Sequence, residues 1–537
     1  MRRLLTFVLI AVLASAAAAL QQAPRAAAYP ISGTVVDHLT NHRVGRALVR
    51  LSPVNGTGEL TSLTGEDGRF EFSNIPKGKY RLSAQRRGQD PHGFHETGQY
   101  STAIVTGPDI ESTGIVFPLH APASISGVVL DEEGEPLQSA TVQVFREIVS
   151  EGEKQIFQMG DCSTNSLGQF HSRHLAAGTY YVSVYPGLWS GFVISGPQGP
   201  LMSGENDVAY PVTYYGDTTD AKAASPIVLV EGATAQIQVS VRAAPNIHVP
   251  IPGDRFGSGI SSPQLYVRGP GGMRVGVATL ILPAGDNRTE LSGIPAGRYL
   301  VQLQPMSMGR TTAPTLQEID FADGVPLLIP NSANTIKVSG QMIFEGGVRP
   351  ASEFQVVLVD RANGFGTAGQ VGVDGAIKFT DLTFAPGLYS VQLGSSDFYV
   401  RSVAVKGARK VGEQIELVEA SSAVITIVAT PVESLSKLDG FALRDGKPVA
   451  GAMLLLVPKD LNSTSLFRRD QSDSDGSFSM AAIPAGRYTL IGIDDDGRGL
   501  VYKDPAVIQP YLAEGQTLEF PLRSKEPVKV AVHPRLP

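Results

Sequence analysis

IPAGRY occurs twice in this sequence, at Ile294–Tyr299 and Ile483–Tyr488, and three variants of it recur as IPKGKY at 75–80, LAAGTY at 175–180 and FAPGLY at 384–389. Its tyrosines stand at 80, 180, 299, 389 and 488, spaced by 100, 119, 90 and 99 residues. A period near 100 is the size of a β-sandwich domain and far longer than a solenoid repeat. A second signal precedes each tyrosine. It is clearest as DGRF from Asp67 and DGSF from Asp475, thirteen residues ahead of Tyr80 and Tyr488. Leu167-Gly168-Gln169-Phe170 and Asp286-Asn287 keep that register in degraded form, and Asp374-Gly375 carries two extra residues. Further upstream, ISGTVVD at 31, ISGVVLD at 125, VSGQMIF at 338 and LDGFALRDGKPVAGA at 438 open four of the units, whereas the third opening, near IHVPIPG at 247, is eroded.

These pieces share one physical reading. Asp-Gly tolerates positive φ and predicts a tight hairpin turn, after which Phe70 and Phe72, two apart, face one side of a strand and enter a core. Pro76 ends that strand, and the glycine two residues later supplies a backbone conformation that a β-carbon resists. The next strand begins at the tyrosine and alternates: Tyr80/Leu82/Ala84, Tyr180/Val182/Val184, Tyr299/Val301/Leu303, Tyr389/Val391/Leu393 and Tyr488/Leu490. A tyrosine at the start of a late strand, ring inward and hydroxyl reaching back to nearby backbone, is the logic of the tyrosine corner in Greek-key sandwiches. Tyr80, Tyr180, Tyr299, Tyr389 and Tyr488 are therefore expected to be structural corners, and the fold to be all-β, a tandem array of Greek-key β-sandwich modules.

Composition agrees. Fifty-eight glycines and thirty-seven prolines punctuate short runs of Val, Ile, Leu, Tyr and Phe. Arg2-Arg3, an apolar run from Leu4 to Leu13 and small residues through Ala17-Ala18-Ala19 have the order of a secretory signal peptide, expected over residues 1–19. That run is too short for a membrane span of about 20 residues. Export follows, to the periplasm, the cell surface or the medium. A single cysteine, Cys162, excludes an internal disulfide. A net charge of −7 argues against a nucleic-acid partner. The length predicts several domains, since single cores stop growing at about 250–300 residues.

With the GxVxD openings, the apolar strands Ala47–Leu51 and Ala140–Val144, DGxFxF and IPxGxY in view, the chain resembles the carboxypeptidase regulatory-like domain. The resemblance implies a transthyretin-like or immunoglobulin-like sandwich grouped with the carbohydrate-binding-like folds. Units one, two and five match well, the fourth partly, and the third mainly through its IPAGRY. The expected modules are 30–121, 122–243, 244–333, 334–431 and 432–537. In metallocarboxypeptidases this module sits beside the peptidase and carries no catalytic residue, and the sequence shows no peptidase motif. The units also resemble collagen-adhesin B-type repeats, which often carry a Lys-Asn isopeptide bond. ISGTVVD and ISGVVLD offer no lysine for one.

Residues that could carry chemistry are few. The pairs His38/His42, His92/His95 and His171/His174 lie among turn residues, each without a third ligand nearby in sequence, and read as surface histidines. The acidic runs Asp470/Asp473/Asp475 and Asp494/Asp495/Asp496 read as solvated turns. Module two inserts a long glycine-rich loop after its tyrosine, bearing Trp189, Phe192 and Tyr210, followed by Tyr214 and Tyr215. Aromatic rings on loops of a rigid sandwich can stack on sugars or clasp a partner. Trp189, Phe192 and Tyr210 are thus the candidate ligand-binding residues, and packing is expected for Tyr214 and Tyr215. No catalytic residue, metal or cofactor is expected. The reading is a non-catalytic exported scaffold that binds polysaccharide or an extracellular protein. An envelope spacer and an accessory subunit of an exported hydrolase are the alternatives.

Overall fold

The computed structural model describes residues 27–187, 207–251, 263–283, 289–303, 306–307, 310–311, 315–327, 336–361, 366–379, 384, 386–418, 422–494, 499–522 and 526–536. Their regular structure is strand throughout, apart from short helical turns. Among the described residues no helix is long and apolar enough to cross a membrane. The chain divides into two compact units. One comprises Met1–Leu119, Phe441–Met453 and Gln471–Phe478; the other comprises His120–Gly440, Leu454–Asp470 and Ser479–Pro537.

In the first unit, β1 (Ala28–Asp37), β2 (Leu48–Pro53), β3 (Leu60–Leu63), β4 (Arg69–Pro76), β5 (Gly78–Gln85), β6 (His92–Gly93), β7 (Ala103–Thr106) and β8 (Ile115–Leu119) form two facing sheets. One has the order β4-β1-β8; in the other, β3-β2-β5 continues into β6 and β7, which both pair with β5. Alternation decides which side chains meet between them. Val49 and Leu51 of β2 and Leu82 and Ala84 of β5 face Phe70, Phe72 and Ile75 of β4, all buried. A Leu51→Ala change in such a core would cost about 2–5 kcal/mol.

The step from β3 to β4 corrects the sequence reading. The two strands lie in different sheets, so Asp67-Gly68 is a crossing between sheets and not a hairpin. Gly68, at φ 70°, closes a β-turn by donating its N–H to the Gly65 carbonyl at 2.9 Å, and its own carbonyl accepts from the Val35 N–H of β1 at 2.9 Å. That second bond pulls the turn across to the opposite sheet. The carbonyls of Gly168, Gly375 and Gly476 accept in the same way from Val129, Met342 and Ala442. In the fourth repeat a hairpin also forms, where Val371 pairs with Ile377, and in the third Leu280–Pro283 pairs antiparallel with Thr289–Ser292 on either side of Asp286-Asn287, which lies outside the described residues.

The crossing carries Phe70 over Gly33 of ISGTVVD. A β-carbon on Gly33 would lie 2.8 Å from the Phe70 ring and 2.2 Å from the Ile115 carbonyl of the parallel strand β8. A β-carbon on Gly127 would likewise lie 2.8 Å from the Phe170 ring and 2.3 Å from the Ile237 carbonyl. The opening motif and DGxF are two halves of one contact.

The second unit repeats the plan. Strands β9 (Ala123–Leu130), β10 (Thr141–Ser150), β11 (Glu153–Ser163), β12 (Gln169–Leu175), β13 (Gly178–Tyr185), β14 (Val208–Ala209), β15 (Thr213–Tyr214), β16 (Ile227–Leu229), β17 (Thr234–Ser240) and β18 (Ala244–Pro245) make the second repeat. Its sheets run β12-β9-β17 and β11-β10-β13-β15, with β16 also on β13, and β14 pairs with β18. In the third repeat the eroded opening is the strand Val249–Ile251, which pairs with Thr289–Ser292 and buries Val249 and Ile251. The strands of the fourth join in one nine-stranded path. In the fifth, Gly486–Ile493 pairs antiparallel with Gln516–Phe520 and parallel with Val528–His533. Repeats two and three share a small apolar cluster of Phe145, Tyr185, Val212, Tyr214 and Val275.

Candidate binding site

The recurring hexapeptide lies where the chain leaves one sheet for the other. The hydroxyls of Tyr80, Tyr180, Tyr299 and Tyr488 donate to the carbonyls of Pro76, Ala176, Pro295 and Pro484, each four residues back, at 3.0, 2.7, 2.8 and 3.1 Å. Tyr389 is buried and packs edge-on against Phe384. Burial pushes the phenols of Tyr80, Tyr180, Tyr299 and Tyr488 upward, so each stays a neutral donor. The glycine two residues before the tyrosine has φ of 152°, 157° and 157° at Gly178, Gly297 and Gly486, whereas Gly78 and Gly387 have no positive φ. The expected backbone requirement therefore holds at three copies of the five.

A second recurring device escaped the sequence reading. Thr64 Oγ1 accepts the Ala47 N–H at 2.8 Å and donates to the Val44 carbonyl at 2.8 Å. Thr164 does the same with Ala140 and Leu137, and Ser472 with Ala452 and Val449. All three are buried. Each hydroxyl clamps the loop that leads into the second strand. The available signal was a Thr or Ser four residues before the turn glycine: TGEDG, TNSLG and SDSDG.

Of the three candidate ligand residues, Trp189 and Phe192 lie outside the described residues. Tyr210 is 4% exposed, packed in the core of the second repeat. Its hydroxyl donates to the Glu132 carboxylate at 3.1 Å. Burial, reinforced by Glu132, pushes this phenol up to about 12. The Tyr210 ring has no open face for a stacked sugar. It lines, with Val212, Val267, Val277 and Tyr299, a cavity of about 70 Å³ where repeats two and three meet. Tyr214 is buried with its hydroxyl on the Arg268 carbonyl at 3.3 Å, and Tyr215 is partly buried against the same core.

The described residues on either side of the segment that carries Trp189 are tied to this junction. At the leading end, Tyr185 donates to the Ala278 carbonyl at 2.9 Å. At the returning end, Asp207 accepts from Asn246 Nδ2 at 2.7 Å and lies 2.7 Å from His248 Nε2. His248 Nδ1 lies 2.9 Å from the Glu290 carboxylate. Burial alone would lower the His248 pKa; the bonds to Asp207 and Glu290 outweigh it and raise it. With carboxylates at both nitrogens, this imidazole presents no lone pair to a metal and no free base to a substrate. The arrangement ties Asp207, where the described chain resumes, to the third repeat.

His38 and His42 are exposed in a turn after β1. His92 lies in β6, whereas the His95 ring stacks on Phe94 at 4.1 Å, where burial lowers its pKa. His171 Nδ1 bonds Ser126 Oγ, and His174 has φ 58°. Cys162 is half-buried, and burial raises its thiol pKa. The acidic run at 470–475 departs from the solvated turn expected of it. The Asp473 side chain is 13% exposed, paired with Lys79, and accepts the Ala103 N–H at 3.1 Å. Asp495 and Asp496 lie outside the described residues.

Residues 30–106, within the first repeat, match the carboxypeptidase regulatory-like domain. No curated protein matches the sequence. Solved structures similar to parts of the chain include the minor pilin GBS52 of Streptococcus agalactiae, 12% identical over 40% of this chain and 97% of that one with a TM-score of 0.22. The shaft pilin SpaA of Lactobacillus rhamnosus GG is 9% identical over 41% and 98%, with a TM-score of 0.19. The TIE protein of Bacillus anthracis is 10% identical over 96% and 75%, with a TM-score of 0.17. Likeness at that level carries no argument about this chain.

Proposed function

We propose that the chain is an exported, non-catalytic scaffold of five β-sandwich modules that binds a polysaccharide or an extracellular protein through loops in which the modules differ. One observation carries this reading. The residues that recur are consumed by folding, since the tyrosine hydroxyls bond to the carbonyls four residues behind them. Recognition is then left to what is specific to one copy. The stretch between Tyr185 and Asp207 holds the single tryptophan of the sequence, and both its ends are fixed to the frame. Rigid supports under an aromatic loop lower the ordering cost of binding.

Polysaccharide pull-down and a glycan array, run on the mature chain and on Trp189→Ala, test the reading. Binding that disappears in the variant while its melting temperature holds is the expected result. Absence of any saturable polysaccharide or protein ligand for the unmodified chain would overturn it in favour of a spacer.

A further inference from the structure

Each tyrosine strand has an outer partner strand, and the repeats treat the far edge of that partner differently. An edge with unpaired backbone and apolar side chains is a template for another chain. Register makes the copies comparable. Opposite the residue just before the tyrosine stand Val105 in the first repeat, Val228 in the second, Asp320 in the third, Glu416 in the fourth and Glu519 in the fifth. Asp320 is ion-paired to Arg298 at 3.0 Å, and Glu519 is exposed opposite Arg487. Charge blunts those two edges. In the fourth repeat a further strand, Arg409–Val411, covers the edge. Val105 is only 7% exposed, because residues 472–474 lie against it: Ser474 Oγ accepts the Val105 N–H at 2.8 Å, and the Ser474 N–H reaches the Ala103 carbonyl at 2.9 Å.

Among the described residues the second repeat has none of these protections. Val228 is 73% exposed and Val230 63%. The segment Pro226-Ile227-Val228-Leu229-Val230 carries no charge, and Thr179 stands where the first repeat has Lys79. By the register of the first repeat, the Val228 N–H and C=O point away from β13. We propose that β16 is a self-association edge, and that its partner is the β16 edge of a second copy of this chain.

The segment is self-complementary. An antiparallel pairing about a two-fold axis at Val228 lets the two Val228 residues exchange both backbone bonds and sets their side chains next to each other. Pro226, opposite Val230 in that register, has no N–H, and the Val230 carbonyl already accepts from Ala233 at 3.1 Å. The pairing is therefore limited to its centre, and the complex is a weak, concentration-dependent dimer well below the area of a standard interface. This inference does not depend on the ligand of the aromatic loop.

Sedimentation equilibrium on the mature chain, from low micromolar to several hundred micromolar, tests it. The weight-average mass of the unmodified protein should climb toward that of a dimer. Val228→Glu sets two like charges against each other at the axis and should weaken the dimer at least about tenfold, with the melting temperature unchanged. Val230→Lys serves if that variant does not fold. Giving the fifth repeat the same edge, by Glu519→Val with Arg487→Thr, should produce species larger than a dimer. A protein that stays monomeric throughout, or a folded Val228→Glu that associates as tightly as its parent, would overturn the proposal.

Discussion

Lys79 and Asp473, 394 residues apart in the chain, form an ion pair in which Lys79 Nζ also meets Ser477 Oγ at 2.9 Å. Burial raises the Asp473 pKa, against the pull of Lys79 and of the Ala103 amide. The lysine therefore serves chiefly to offset the desolvation of a carboxylate held there by backbone bonds.

The two ends of this pair should respond unequally. Lys79→Met strands the Asp473 charge and should cost about 1–3 kcal/mol, less than a fully buried pair because Lys79 is 39% exposed. Asp473→Asn keeps an acceptor for Ala103 and should cost about 1 kcal/mol or less. Urea unfolding of both variants checks the order, and a larger loss for Asp473→Asn would refute it.

His248 should make the junction of repeats two and three pH-dependent. Its pKa is raised in the folded protein above the ordinary 6.5. The stabilisation is then fully present below 6.5 and is lost as pH rises through the higher folded value. His248→Gln should flatten the stability profile across that window. Equal slopes for parent and variant would show that the bonds to Asp207 and Glu290 contribute nothing.

Tyr488→Phe removes a hydroxyl and leaves the Pro484 carbonyl without that donor, which should cost about 1–2 kcal/mol. Calorimetry should show one transition lowered. Any ligand bound by the protein should still bind, because the corner belongs to the fold.

Gly127→Ala should cost more than its single methyl implies. The added carbon would stand 2.3 Å from the Ile237 carbonyl, and backbone cannot step aside as a flexible side chain can, so a loss of about 1–3 kcal/mol or more is expected. A variant as stable as its parent would mean that β9 and β17 separate freely.

The modular plan was legible because it rests on local signals: the period of 100, the alternation after Tyr80 and Tyr180, and the turn glycines. What the sequence misread was non-local. Asp67-Gly68 looks like a hairpin because nothing near it reveals that Val35, more than thirty residues away, captures the Gly68 carbonyl. Asp473 looks solvated because its partner lies in the first repeat. The clamp at Thr64 was in plain view, but a lone threonine near a turn is ordinary until three copies hold the same bonds. Tyr210 shared the aromatic character of Trp189 and Phe192. Only burial separates a ring that packs from one that can be offered to a ligand.

The unit that joins 27–119 to 441–453 and 471–478 also has a history in time. During synthesis at about 5–20 residues per second, β7 emerges roughly 20–70 seconds before residues 472–474 that lie against Val105. For that interval the first repeat stands with its apolar edge bare, open to pairing with a neighbouring nascent chain until residues 472–474 arrive. Completion of the first module waits on residues made long after its own strands.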